Sequence, residues 1–431
     1  MNYNRVITLL LCAMFTGSVP PGARAAGTVP AAGGSIDNSI LGGRGGYAHP
    51  FISMAEAHTD NIYNTRENKV GDFKTIISPG VWLALPRQKK QLLNIDTSSF
   101  TPGGLNIDIT RPKAFRRYQT YLLFRDDLTK YAVHSEENTT DYTAEGLCQY
   151  NFKGGFSTSF IDQYLRSHDK RGTGVSTELD KYKNNLADFM LAYDLNPRLK
   201  LSVRYSNYKV NYDAGRNDYR DRTDNAFSAY AFYRLSSKTS LFTEYRHIDI
   251  SYNTYNWRDS TEHHAYAGVK WNITGKSQGT LKAGYVSKDF KNSIAGSKND
   301  FTLSLTGFHH FTPKTSLQIT AARKIIEPDI PTSDFSQLHS ISCRYRQRLT
   351  ARIIGEFSFA YSNEQYDGVL NYAGETKKRI DKIYTFGPVV KYRFKRWIGA
   401  AASYSRSRRD SSFSDFDYTN NIFLVRLTTS L

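Results

Sequence analysis

From about Tyr118 to the end, the sequence repeats one unit: a run of alternating apolar and polar residues, a turn, and a second such run. The stretch from Asn299 to Lys324 shows it plainly. Phe301, Leu303, Leu305 and Gly307 alternate with Thr302, Ser304 and Thr306; beyond the turn Thr312–Thr315, Leu317, Ile319 and Ala321 alternate with Ser316, Gln318 and Thr320. A period of two puts the apolar groups on one face of a strand and the hydroxyls on the other, so the unit is an antiparallel hairpin with one greasy and one wet face. The connections alternate in length. Lys153-Gly154-Gly155, Asn196-Pro197-Arg198, Thr312 to Lys314 and Lys395-Arg396 are short turns, and between them lie long polar loops such as His168–Asn184, Tyr212–Asp224, Ile325–Phe335 and Asn363–Asp381. Hairpins with short turns at one end and long loops at the other are the pattern of a transmembrane barrel, and a sandwich or propeller has no reason to sustain it.

The rest of the chain agrees with that constraint. No linker or change of composition divides the second half of the 431 residues, mean hydropathy is -0.53, and nothing after the first twenty residues resembles an apolar helical span. A helical membrane protein is excluded, whereas a closed barrel satisfies its backbone between strands and needs apolar groups only at every second residue. The expected fold is all-β: a transmembrane antiparallel up-and-down barrel of about eighteen strands, with short periplasmic turns and longer extracellular loops. An even count brings both ends to one side. Aromatic residues make up 14%, and Trp82, Trp271, Trp397, Tyr193, Tyr205, Tyr345 and Tyr392 read as an interfacial girdle.

At the start, Arg5 precedes the apolar run Val6–Phe15, and Ala23-Arg24-Ala25 offers small residues to a signal peptidase. Residues 1–25 read as a cleaved signal peptide, 26–46 as a flexible leader and 47–431 as the barrel, which places the protein in the outer membrane of a Gram-negative bacterium. Alternation fails near 91–116: Leu92–Ile95 and Leu105–Ile109 are short strand candidates interrupted by Thr101-Pro102-Gly103-Gly104, an irregular insertion with a small hairpin of its own. The last strand carries Phe423, Val425, Leu427, Thr429 and Leu431 on one face. Cys148 and Cys343, both outward and far apart, read as small apolar residues without indication of a disulfide.

The stretch Tyr47–Thr65, with Thr59-Asp60-Asn61 at the end of the first strand, and Asp72–Leu83, with Ser78-Pro79-Gly80, resemble the opening of the putative beta-barrel porin 2 family. That family includes outer-membrane barrels associated with exopolysaccharide biosynthesis and export. The resemblance implies a conduit and carries over Thr59, Asp60, Asn61, Ser78, Pro79 and Gly80 as its motif residues.

In a barrel, the residues alternating with the lipid-facing set line the lumen. The inward basic set is Lys200, Arg204, Arg234, Arg246, Lys270, Lys282, Lys324, Arg344, Arg346, Arg352, Lys391 and Arg393, against the fewer acids Glu145, Asp188, Asp194, Glu244 and Glu356. With a net charge of +17 and a pI near 9.5, the set suggests a lumen that concentrates anions. Two readings of these cations stand together: a selective path for an anionic cargo, and ion pairs that hold the barrel's shape. Inward Tyr230 and Tyr266 offer rings to a sugar or to packing. His263-His264 and His309-His310 point to opposite faces, so neither pair chelates one metal. No cofactor motif appears, and charge spread over many strands disfavours nucleic acid as a partner. The expectation is therefore a passive conduit for an anionic exopolysaccharide, in contact with membrane lipid and with periplasmic polysaccharide-export components. A general anion-preferring diffusion porin is the alternative. A barrel enzyme or a structural surface protein is the alternative from another class.

Overall fold

The computed structural model describes residues 46–88, 95–106, 117–175, 178–273, 276–291 and 296–430. The signal peptide, nearly all of the leader, Leu431 and the insertion segments 89–94 and 107–116 lie outside them.

The strands are β1 (Gly46–Thr59), β2 (Asp72–Gln88), β3 (Tyr118–Tyr131), β4 (Thr139–Asn151), β5 (Phe156–His168) and β6 (Lys181–Asp194). They continue as β7 (Leu199–Tyr212), β8 (Arg222–Arg234), β9 (Thr239–Tyr252), β10 (Ser260–Ile273), β11 (Ser277–Phe290) and β12 (Ser297–Thr312). The last six are β13 (Thr315–Ile326), β14 (Ser336–Arg348), β15 (Ile353–Tyr372), β16 (Glu375–Lys395), β17 (Ile398–Ser411) and β18 (Tyr418–Ser430). Each pairs antiparallel with its sequence neighbour, and β1 pairs with β18 from Phe51↔Ser430 to Thr59↔Ile422, so the 18-stranded sheet closes on itself. Closure leaves no unpaired edge, which is what a strand-built wall in lipid requires.

Alternation sorts the two faces. On β7, Leu201, Val203 and Tyr205 are exposed, while Ser202, Arg204, Ser206 and Tyr208 are buried inside. The outer surface continues through Ile52, Phe124, Phe189, Phe301, Phe359, Val390 and Phe423, all exposed. A continuous apolar surface of this kind is unstable in water and is what a bilayer demands.

Two sequence expectations are corrected. Asn363–Asp381, read as a long loop, is the far end of one hairpin: β15 and β16 run on past their neighbours and turn at Ala373-Gly374, where φ is +50° and +82°. Polar residues at its outward positions hid the strand period. Trp82, read as a girdle residue, points inward, is fully buried and stacks on His49 with ring centroids 4.6 Å apart. Its register on β2 places it on the face opposite the exposed Phe73, Ile77 and Leu83.

The largest apolar cluster lies inside the barrel. Trp82, Ala84, Tyr121, Leu123, Leu147, Ile161, Tyr182, Leu186, Tyr208, Val210 and Tyr212, the inward residues of β2 to β7, pack with Ile95 and Leu105 of the insertion. An apolar inner wall facing water would be costly, so the insertion folds back onto it. Within it Thr97 and Leu105 form a single antiparallel bridge; the strand candidates Leu92–Ile95 and Leu105–Ile109 lie mostly outside the described residues.

Candidate functional site: the lumen

The motif residues secure the wall. Asp60 accepts hydrogen bonds from the Asn421 amide at 2.7 Å and from its side-chain amide at 2.6 Å. Thr59 Oγ1 donates to Asn420 Oδ1 at 2.8 Å, and Asn61 Nδ2 donates to Thr419 O at 3.0 Å. Thr59-Asp60-Asn61 thus fastens β1 to β18 at the long-loop end, where the barrel closes. Ser78 Oγ donates to Asp127 Oδ1 at 2.6 Å. The β2–β3 pairing skips Pro79, which has no N–H to give. A Cβ on Gly80 would stand 2.3 Å from the Phe51 ring, so only glycine fits there.

The twelve basic residues fall into two groups. Arg204 pairs with buried Asp188; Arg246 and Lys282 share Glu244 at 2.6 and 2.8 Å; Arg346 and Lys391 share Glu356 at 3.5 and 3.1 Å. Lys200 stands 3.6 Å from Asp194. Lys324 Nζ donates to Thr101 Oγ1 at 3.0 Å and Asn106 Oδ1 at 2.9 Å, holding the insertion. Arg234 and Arg344 pair with no carboxylate among the described residues. Lys270 and Arg393 occupy inward register positions on β10 and β16, and Arg352 lies in the turn that precedes β15. Around them the inner faces of β12 to β17 present hydroxyls, among them Thr302, Thr306, Ser316, Ser342, Thr385 and Ser405. Tyr230 donates to Glu244 at 3.2 Å and Tyr266 lies under the Lys282 ammonium at 4.6 Å, so both rings are engaged in the wall.

At the long-loop end three inward segments meet. The insertion's tip enters from the short-turn end: Gly103 N donates to Asp224 Oδ2 at 2.9 Å, and Arg222 donates to Ser99 O at 2.6 Å while pairing with Asp224 at 3.1 Å. From the opposite end, the β13–β14 loop descends onto the tip, with Glu327 N donating to Phe100 O at 2.7 Å. Glu327 is itself held by fully buried Lys288, which also pairs with Glu262 at 3.0 Å. The β5–β6 loop completes the seal. Gly174 N donates to Asp329 Oδ2 at 2.7 Å, and Arg379 donates to Gly174 O at 2.6 Å while pairing with Asp381. Arg409 donates to Gly172 O at 2.7 Å, and Arg258 donates to Tyr219 O at 3.0 Å and Ser333 O at 3.1 Å. In the same loop, burial raises the Asp169 carboxyl above its usual range although the Arg220 guanidinium stands 2.8 Å away. Arg222, Arg379 and Arg409 thus hold loop carbonyls on one side and an aspartate on the other, which ties the three segments to the wall.

These anchoring residues were missed by sequence reasoning. Arg222-Thr-Asp224 and Arg379-Ile-Asp381 are Arg-x-Asp triplets whose first and third side chains share a strand face, but both fell in segments read as loops. The signal was the triplet itself, recurring at the start of β8 and near the start of β16.

Fold and lumen together define an outer-membrane β-barrel channel of the porin kind. The chain belongs to the family described as Putative beta-barrel porin 2, which it matches over residues 105–431; the Thr59–Asn61 and Ser78–Gly80 motifs precede that span. No curated protein matches it. Among solved structures it is similar to OccK2 (OpdF) of Pseudomonas aeruginosa, at 10% identity and a TM-score of 0.47 over 89% of this chain and 98% of that one. OpdL of the same organism gives 12% identity and 0.43 over 89% and 99%. The siderophore receptor PirA of that organism gives 7% and 0.39 over 89% and 80%. The likeness goes no further than the barrel.

Proposed function

We propose that this barrel is a passive outer-membrane conduit for an anionic, hydroxyl-rich solute, and that the cargo is an exopolysaccharide leaving the periplasm, as the family resemblance implies. The observation that carries the reading is the make-up of the inner wall across from the apolar one that Ile95 and Leu105 cover: hydroxyls on β12 to β17 with Arg344 and Lys391 among them. Hydroxyl walls exchange hydrogen bonds with a sugar at little net cost, and fixed cations raise the local concentration of an acidic chain without binding one sugar tightly. Transport would be powered elsewhere, and a periplasmic export component would reach the short-turn end where the insertion begins.

The plug favours a second reading. Three segments cross the lumen at its long-loop end, and a polymer passes only if all three withdraw, whereas a small anion needs less. That supports a diffusion porin for small anionic solutes.

Planar-bilayer recording of the refolded barrel, with alginate added on the short-turn side, separates the two. Anion-selective current blocked by alginate supports the conduit. Anion-selective current indifferent to alginate supports the diffusion porin, and cation selectivity refutes both.

A further inference from the structure

The outward face carries cations where a lipid-facing wall has least reason to hold them. Arg166 on β5, Lys181 and Lys183 on β6 and Lys209 on β7 point away from the lumen, because the alternate positions Leu165, Tyr182, Asn184 and Tyr208 are the buried, inward ones. All four stand near the long-loop end of their strands: Arg166 is two residues from the end of β5, Lys181 opens β6, and Lys209 is three residues from the end of β7. Arg166 and Lys183 are direct cross-strand partners. Lys209 sits diagonally beside them, opposite Asn185.

Like charges directly opposite on one strand face repel. The neighbouring acids only partly offset this. Asp213 lies 3.1 Å from Arg166, and Asp221 is occupied by the Tyr212 amide at 2.7 Å and by Asn211. Lys183 and Lys209 are exposed. Further down the same strands, past one or two outward positions held by Tyr164 and Asp162, by Asn185 and Ala187, and by Asn207, the outward residues are Phe160, Phe189, Val203 and Tyr205, all exposed, which is the apolar band that acyl chains cover. The cations therefore stand just above that band, at the depth of lipid headgroups. A phosphate placed between Arg166 and Lys183 converts their repulsion into two charge-assisted contacts, with the planar guanidinium suited to two phosphate oxygens at once.

We propose that Arg166, Lys181, Lys183 and Lys209 form a binding site for the phosphate of an anionic lipid in the outer leaflet, its acyl chains lying along Phe160, Phe189 and Val203. The site is independent of what passes through the lumen.

The test is native mass spectrometry of the refolded full chain with diphosphoryl lipid A, with the same lipid stripped of its phosphates, and with inorganic phosphate. Diphosphoryl lipid A is expected to bind in a salt-sensitive way, and the other two not at the same concentration. The double variant K183Q/K209Q is expected to weaken its tightest binding at least tenfold. Wild-type binding by that variant, or equal binding of the phosphate-free lipid, overturns the proposal. Equal binding of inorganic phosphate assigns the site to free anions and overturns the lipid reading. Should the double variant fail to fold, K209Q alone decides, since its side chain is exposed and outside the lumen network: unchanged lipid A binding overturns the site.

Discussion

Gly104→Ala should open the barrel. Gly104 sits at φ +78° in the insertion's tip, and a Cβ there would lie 2.1 Å from Tyr208 Cδ2 and 2.3 Å from Cγ. Tyr208 has nowhere to go: it is fully buried, its hydroxyl accepts a hydrogen bond from Asn184 at 3.2 Å, and the Arg222 guanidinium lies 6.0 Å from its ring centre. The left-handed backbone costs an L-residue roughly 1–2 kcal/mol. Forcing one carbon into a packed wall costs about 1–3 kcal/mol more. Roughly 2–5 kcal/mol against the docked tip lowers its docked-to-undocked ratio by about thirtyfold to several thousandfold. Single-channel recording of the refolded protein reads this directly: the wild type should be mostly closed, and G104A should show frequent, long openings. Circular dichroism and heat-modifiable gel migration establish that the barrel itself is intact. An intact G104A barrel with wild-type conductance would refute the reasoning, because the tip would then not lie in the conducting path.

Two further outcomes follow from the plug's buried charges. Lys288→Met leaves Glu262 and Glu327 without their shared cation and should destabilise by about 3–5 kcal/mol, read as a lower temperature of heat-induced gel shift; an unchanged transition would mean that these carboxylates are hydrated. Arg379→Ala frees the Gly174 carbonyl and leaves Asp381 the Ser411 hydroxyl at 2.6 Å and, as its cation, the Arg409 guanidinium 3.9 Å away, so hydrogen exchange should rise at residues 170–175 and 327–333 while β15 and β16 stay protected.

The barrel was legible because period-two alternation and the short–long alternation of connections are properties of local sequence. Strand ends were less so. Residues 363–381 read as loop because a hairpin that extends past the bilayer no longer needs apolar residues outward, and Lys378 and Lys382 sit there instead. The insertion was recognised as a break in pattern, yet its destination was not. The clue lay in residues assigned to no role: Leu147, Ile161, Leu186 and Val210 occupy inward positions, where a water-filled channel would carry polar groups. Apolar residues on both faces of consecutive strands mean that something covers the inner face. The inward cations of the strands were legible as positions on a face but not as pairs, and Arg222 and Arg379, in segments read as loops, meet Ser99 and Gly174 only through the closed fold.

That apolar wall also decides how the lumen can open. An 18-stranded barrel is wide enough for an aqueous channel, so full expulsion of the insertion is conceivable on size alone. Energetics oppose it. Wetting side chains such as Trp82, Tyr121, Leu147, Ile161, Leu186 and Tyr208, each worth about 1.5–3 kcal/mol when buried, would cost of order 10 kcal/mol. The contacts at the long-loop end are different in kind. Asp224 and Asp329 accept hydrogen bonds from the Gly103 and Gly174 amides, and the Glu327 amide donates to the Phe100 carbonyl; each can be exchanged for water or for a polar cargo at a net cost of about 0.5–3 kcal/mol. Opening therefore proceeds by release of the tip and the two loops, while Ile95 and Leu105 stay on their wall. In the conduit proposed above, cargo would then pass along the hydroxyl side, β12 to β17, by Arg344 and Lys391.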